Sequence, residues 1–118
     1  MNAPNMGSAR PMRILLDECL LREFRKCLEP HWCTSVVDFG YLPGRKKESL
    51  VAFAEGIFDV FVTLSRSDTE HRKLRSQKIA VITLAAQSNR LEDLRPLATK
   101  VVAVLRTIKP GQIVRVSR

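Results

Sequence analysis

The side chains best suited to chemistry are carboxylates that follow apolar runs. Asp17 and Glu18 come directly after Met12 to Leu16 (MRILL), and Glu48 opens an amphipathic stretch that begins near Lys46. Ser65 and Asp68 follow another apolar run, Asp59 to Thr63 (DVFVT). Carboxylates gathered from separate elements repel one another, so the cluster calls for a cation, and hard oxygen ligands select Mg2+ or Mn2+. Such an ion polarises a phosphodiester and generates hydroxide from bound water, which is phosphoryl hydrolysis. Taken singly, each acid also has a structural reading. Asp17 can cap a following helix, Glu48 near a helix start favours the macrodipole, and Asp59, ahead of its strand, suits a turn. His71 lies in a polar, basic stretch and reads as exposed. The sequence contains no evident Ser/His/Asp or Cys/His arrangement and no glycine-rich phosphate loop.

For these acids to meet, the elements must bring them to one edge. MRILL has the pattern of a strand buried on both faces. Leu20, Leu21, Phe24 and Leu28 give one apolar stripe on a helix of about three turns, stopped by Pro30. Cys33 to Val37 reads as a second strand and Gly40 to Gly44 as a loop. A second helix is predicted from about Lys46 to Gly56, where the glycine suits the C-terminal end. DVFVT and Ile79 to Leu84 (IAVITL) supply the third and fourth strands, joined by a basic connection with room for a short helix. Asn89 can cap the next helix, with Glu92 and Asp93 at its positive end, and Pro96 predicts a break or kink. Leu97, Val101, Leu105 and Ile108 continue the stripe to Lys109-Pro110-Gly111. Ile113 to Val116 is a last strand, placed at a sheet edge because Arg115 interrupts it. The alternation predicts an α/β three-layer sandwich with a mostly parallel sheet of about five strands between helices. Ligands of such sheets gather beyond the carboxyl ends of the strands. The reading is a single domain over 12–118, preceded by a polar segment, 1–11, read as a disordered leader or as an extension upstream of a start at Met12.

The chain has 118 residues and a net charge of +8, with a pI near 10.0. A positive field steers phosphate chains and releases their counterions, so a polyanion is the favoured partner. A basic surface kept for solubility, or an acidic protein partner, is the plainer alternative. The cations are bunched: Arg45, Lys46 and Lys47 form one group, and Arg66, His71, Arg72, Lys73, Arg75 and Lys78 another. Aromatics are only 6% of the residues, which argues against stacking along a whole strand as the main binding mode. No apolar run approaches the ~18 residues of a membrane span, and the start lacks a secretory signal. Three cysteines, an odd count, argue for the reducing cytoplasm. Cys27, His31 and Cys33 could be drawn as zinc ligands, but without a Cys-x-x-Cys pair they read as buried thiols and an isolated imidazole.

The segment Met12-Arg13-Ile14-Leu15-Leu16-Asp17-Glu18-Cys19-Leu20 resembles the opening of a PIN-like group related to the VapC-type toxins. Phe58 to Thr63, Ile79 to Leu84, Ser88 to Leu97 and Lys109-Pro110-Gly111 are similar to later blocks of that family. The resemblance implies a PIN-like fold and a Mg2+- or Mn2+-dependent endoribonuclease, a hydrolase, often the toxin of a toxin–antitoxin pair. The implied partners are RNA, a small antitoxin protein and, as an oligomer, a second copy of the chain. Carried over, Asp17 is the first metal-binding acid with Glu18 beside it, and Glu48 is the acid of the second helix. Arg45, Lys46, Lys47, Arg66, Arg72 and Lys73 then hold the nucleic acid. The family pattern Thr-x-Asp-Arg/Lys-Asn reads here Thr63-Leu64-Ser65-Arg66-Ser67, so Ser65 stands at the aspartate position and Ser67 at the asparagine position. The polar pair expected just downstream falls at His71 and Lys73. A hydroxyl in place of a charge implies weakened or lost catalysis, with Asp68 as a substitute ligand, or a non-catalytic module that binds RNA or an antitoxin-like protein. A receiver-like signalling domain is the fold-level rival, but it needs a phosphate-accepting aspartate that the third strand lacks.

Overall fold

A computed structural model of the chain describes residues 11–20, 22–40, 46–65, 67–74 and 78–118. Five short strands form its centre: β1 (Arg13–Leu16), β2 (Trp32–Ser35), β3 (Val60–Leu64), β4 (Ala80–Leu84) and β5 (Ile113–Val116). They lie in the order β2-β1-β3-β4-β5 and every pairing is parallel. Every strand but β2 is apolar at all but one position, so both faces of the sheet must be covered. Ile14, Leu16, Val60, Val62, Ala80, Ile82 and Leu84 pack on one side against a 3-10 helix (Arg22–Leu28) and the long helix that follows β4. On the other side Leu15, Phe61 and Val81 meet Leu50, Val51 and Ala54 of α1 (Lys47–Ala54). Leu74, just past the short helix α2 (Asp68–Arg72), closes that second core. The result is a three-layer α/β sandwich. Among the described residues no helix is long and apolar enough to cross a membrane.

Several local expectations are corrected. The first helical segment is a seven-residue 3-10 helix rather than three α-turns; so short a piece gains little from α-helical cooperativity, and its end is closed by the His31 amide on Leu28 O. β2 ends before Val37, because Ser35 Oγ accepts the Asp38 N–H at 3.0 Å and Ser35 O accepts that of Phe39. The long helix α3 (Leu91–Leu105) runs through Pro96 without a break. Pro96 is exposed, so its ring and the carbonyl it leaves unpaired face water. Asn89 makes no cap for α3. The N-cap position falls on Arg90 with no side-chain cap bond; Ser88 braces the approach to the helix, accepting the Arg90 N–H at 3.1 Å and donating to Asp93 Oδ2 at 2.5 Å. Asp59 does more than turn the chain: its carboxylate accepts the Arg13 N–H at 2.8 Å and pairs with the Arg13 guanidinium at 3.3 Å. That fastens β1 to the entrance of β3. β5 lies at the edge as expected, but Arg115 continues the strand and does not interrupt it. The expected leader, but for Pro11, and most of the loop expected over Gly40 to Gly44 fall on residues 1–10 and 41–45, which lie outside the described residues.

Candidate site at the carboxyl edge

Alternate residues of a strand share a face. Moving toward the carboxyl ends on the α1 face, the residues after Leu15, Phe61, Val81 and Ile113 are Asp17, Thr63, Thr83 and Arg115. The register pairs Thr63 with Thr83 and Thr83 with Arg115, while Leu16 pairs with Val62 just before Asp17 and Thr63. Neighbouring strands are ~4.8 Å apart, so these side chains form one polar row across four strands. Strand order reverses between β1 and β3, the switch point where ligands of open α/β sheets bind. Asp17 and Thr63 sit there.

Asp17 is only 3% exposed. Its Oδ2 accepts the Thr63 hydroxyl at 2.5 Å and its Oδ1 accepts the Glu18 N–H at 2.7 Å. Both oxygens therefore have donors, which a buried charge requires. Thr83 Oγ1 lies 2.7 Å from His71 Nδ1. His71, expected to be exposed, is half-buried because α2 lays it over the row. At the far end, Arg115 Nη1 donates to Ser65 Oγ at 3.0 Å and to Ser67 O at 3.1 Å. Ser65 is 1% exposed and itself donates to Ser67 O. Lys47, on the first turn of α1, donates to Leu64 O at the end of β3. Cys19 Sγ lies 3.7 Å from Thr63 Oγ1, and burial, followed by the Asp17 charge, pushes its thiol pKa up.

The acids selected from sequence are distributed unevenly. Asp17 is inside the row. Glu18 and Glu48 are exposed, and Lys47, one residue before Glu48, is the α1 side chain tied to the strand end. Ser67, at the asparagine position, accepts the Glu70 N–H and caps α2. Lys46, Arg72 and Lys73 are exposed. Arg45 and Arg66 lie outside the described residues, as does the side chain of Asp68. Three members of the row, Thr63, Thr83 and Arg115, were not selected from sequence. The signal for them was available: each lies an even number of residues past an apolar core position on its own strand.

The donor set can be compared with the ion that the PIN-like resemblance implies. Among the described residues no group of three or more His, Cys, Asp or Glu side chains could hold a metal. The row offers one buried carboxylate and neutral hydroxyls, with the cations Lys47 and Arg115 beside them. Two like unit charges at ~4 Å cost about 4 kcal/mol at the effective dielectric near a protein surface, and a divalent ion about doubles that. The described donors do not fit Mg2+ or Mn2+. Zinc at Cys27, His31 and Cys33 fares no better. Cys27 and Cys33 are free and half-buried, and His31 Nδ1 accepts the Met12 N–H at 3.1 Å. Burial lowers the His31 pKa and pushes the Cys33 thiol up to about 12. The receiver-like rival lacks its acceptor, since β3 closes on Thr63, Leu64 and Ser65.

Two clefts open along this edge. One of about 510 Å³ is lined by Ser65, Ala85, Ala86, Gln87 and Arg115. The other, about 310 Å³, is lined by Cys19, Leu64, Ala86, Gln87, Ser88 and Asn89. They meet at Ala86 and Gln87, giving a groove beyond the ends of β3 and β4. Compared with known proteins, the chain matches no family model, no curated protein and no solved structure.

Proposed function

We propose that this chain is a PIN-like domain that binds RNA along the carboxyl edge of its sheet and has lost metal-dependent cleavage. The observation that carries the reading is the Arg115 guanidinium on Ser65. Where the resemblance expects a second carboxylate to share a divalent ion with Asp17, this chain has a hydroxyl and a fixed cation. A metal site altered in that way favours phosphate oxygens over metal ions, because guanidinium recognises phosphate with charge and planar geometry together. Lys47 adds a second positive group at the end of β3, and the +8 net charge supplies long-range attraction. A nuclease reading has Asp17 in its favour, yet among the described residues no group of three His, Cys, Asp or Glu side chains gathers to hold a metal.

The test is a titration of fluorescently labelled single-stranded RNA, first in EDTA and then with Mn2+. Affinity is expected to be the same in both and to fall steeply with salt. Arg115→Gln and Lys47→Gln are each expected to weaken binding and reduce the salt slope by about one unit. Binding that requires Mn2+, or RNA that does not bind at low salt, overturns the proposal.

A further inference from the structure

A second cleft, of about 480 Å³, lies at the opposite, amino edge of the sheet, lined by Pro11, Met12, Arg13, Trp32 and Asp59. Trp32, the only tryptophan in the chain, is 64% exposed there, the most exposed of the large apolar side chains described. Single exposed apolar side chains are ordinary, but this one has a built setting. Its backbone is pinned by Trp32 N–H on Met12 O at 2.9 Å, and Met12 N–H is in turn bound to His31 Nδ1. Asp59 fixes the Arg13 guanidinium beside it. An indole face and a guanidinium held at one cleft suit a flat, electron-rich ring carried on an anionic backbone.

We propose that this cleft seats one unpaired base of the bound RNA, stacked on Trp32. The proposal rests on the RNA reading above and adds a second contact to it. β1 separates Arg13 from Asp17 by ~13 Å at about 3.3 Å per residue. Arg115 on β5 is four strand spacings from β2, ~19 Å at ~4.8 Å each, so a strand held at the carboxyl edge crosses the sheet and then follows β2, the edge strand among the described residues, to reach Trp32 several nucleotides on. A single base platform also agrees with the scarcity of aromatics, which rules against continuous stacking. A second copy of the chain is a poorer occupant, because two molecules of charge +8 repel.

Because Trp32 is the sole tryptophan, its emission reports on the cleft directly. A short oligouridine is titrated against the intact chain while tryptophan emission and the anisotropy of a label on the RNA are both followed. Saturable quenching that tracks the anisotropy is expected. Trp32→Ala should lower RNA affinity about 5- to 100-fold, and Trp32→Phe, which keeps an aromatic face, should recover most of it. Circular dichroism checks that both variants fold. RNA binding with unchanged emission and an unchanged affinity for Trp32→Ala overturns this inference and leaves the RNA reading standing. No RNA binding at all overturns both. Quenching by uridine monophosphate as tight as by the oligomer identifies a free-nucleotide site and contradicts the strand contact. Quenching that depends on protein concentration without RNA identifies self-association instead.

Discussion

Ser65 and Asp17 place opposite demands on the polar row. With a hydroxyl at position 65 the Arg115 guanidinium is in contact, and an acid placed there meets that cation first. Ser65→Asp alone is therefore expected to form an ion pair with Arg115 and gain little Mn2+ affinity. Ser65→Asp combined with Arg115→Gln should gain at least about tenfold, since an added carboxylate is then available to the ion; calorimetric titration with Mn2+ compares the two. Thr63 tests the other end of the row. Thr63→Val keeps the shape but removes the hydroxyl bound to the buried Asp17 carboxylate, which should cost about 1–3 kcal/mol in urea unfolding. Cys33 gives a pH signature. Its thiol pKa moves from an ordinary 9.0 up to about 12, so the folded chain holds that proton more tightly than the unfolded one. The contribution to stability is whole below about pH 9 and is lost as pH rises toward about 12. Stability should fall across that window, and Cys33→Ala should flatten the fall.

At the scale of elements, α1 and α3 cover the two faces of the sheet. Gly56 follows α1 with φ at +89° and no atom within 4 Å of an added Cβ. Gly56→Ala thus brings backbone strain without a clash and should cost about 1–2 kcal/mol in thermal unfolding. Pro96→Ala should act the other way, returning an N–H to the interior of α3, and is expected to raise the melting temperature. The order of elements was legible in the sequence because each strand is a short run of apolar residues and each helix an apolar stripe with three- and four-residue spacing. Local differences arise where context overrides propensity: the α3 N-cap position falling on Arg90 without a side-chain cap, the helix continuing through an exposed Pro96, and the first helix tightening to a 3-10 form. The site was only partly legible. Asp17 follows its strand and is visible as an acid at an edge. Arg115 lies on the last strand, and its placement beside Ser65 requires the register β3-β4-β5, a relation between residues 50 positions apart. Reading Arg115 as an interruption of the strand followed from its charge alone. Its half-buried position on the α1 face came from the alternation of β5.

For the molecule as a whole, the proposed RNA reading rests on charge and topology together. A +8 excess attracts polyanions over distance, and under that reading the groove beyond β3 and β4, next to the switch point, is where one docks. The groove at that edge is lined mostly by small and polar residues, with Arg115 among them, which suits a phosphate backbone better than an apolar ligand. RNA binding without cleavage is read most plainly by incubating single-stranded RNA with the intact chain and Mn2+ under conditions where anisotropy shows the RNA bound, then running a denaturing gel. The account predicts saturated binding with full-length RNA throughout, for the native chain and for Asp17→Asn alike. Mn2+-dependent cleavage by the native chain that disappears in Asp17→Asn would contradict it, because the row would then hold a working metal despite Arg115.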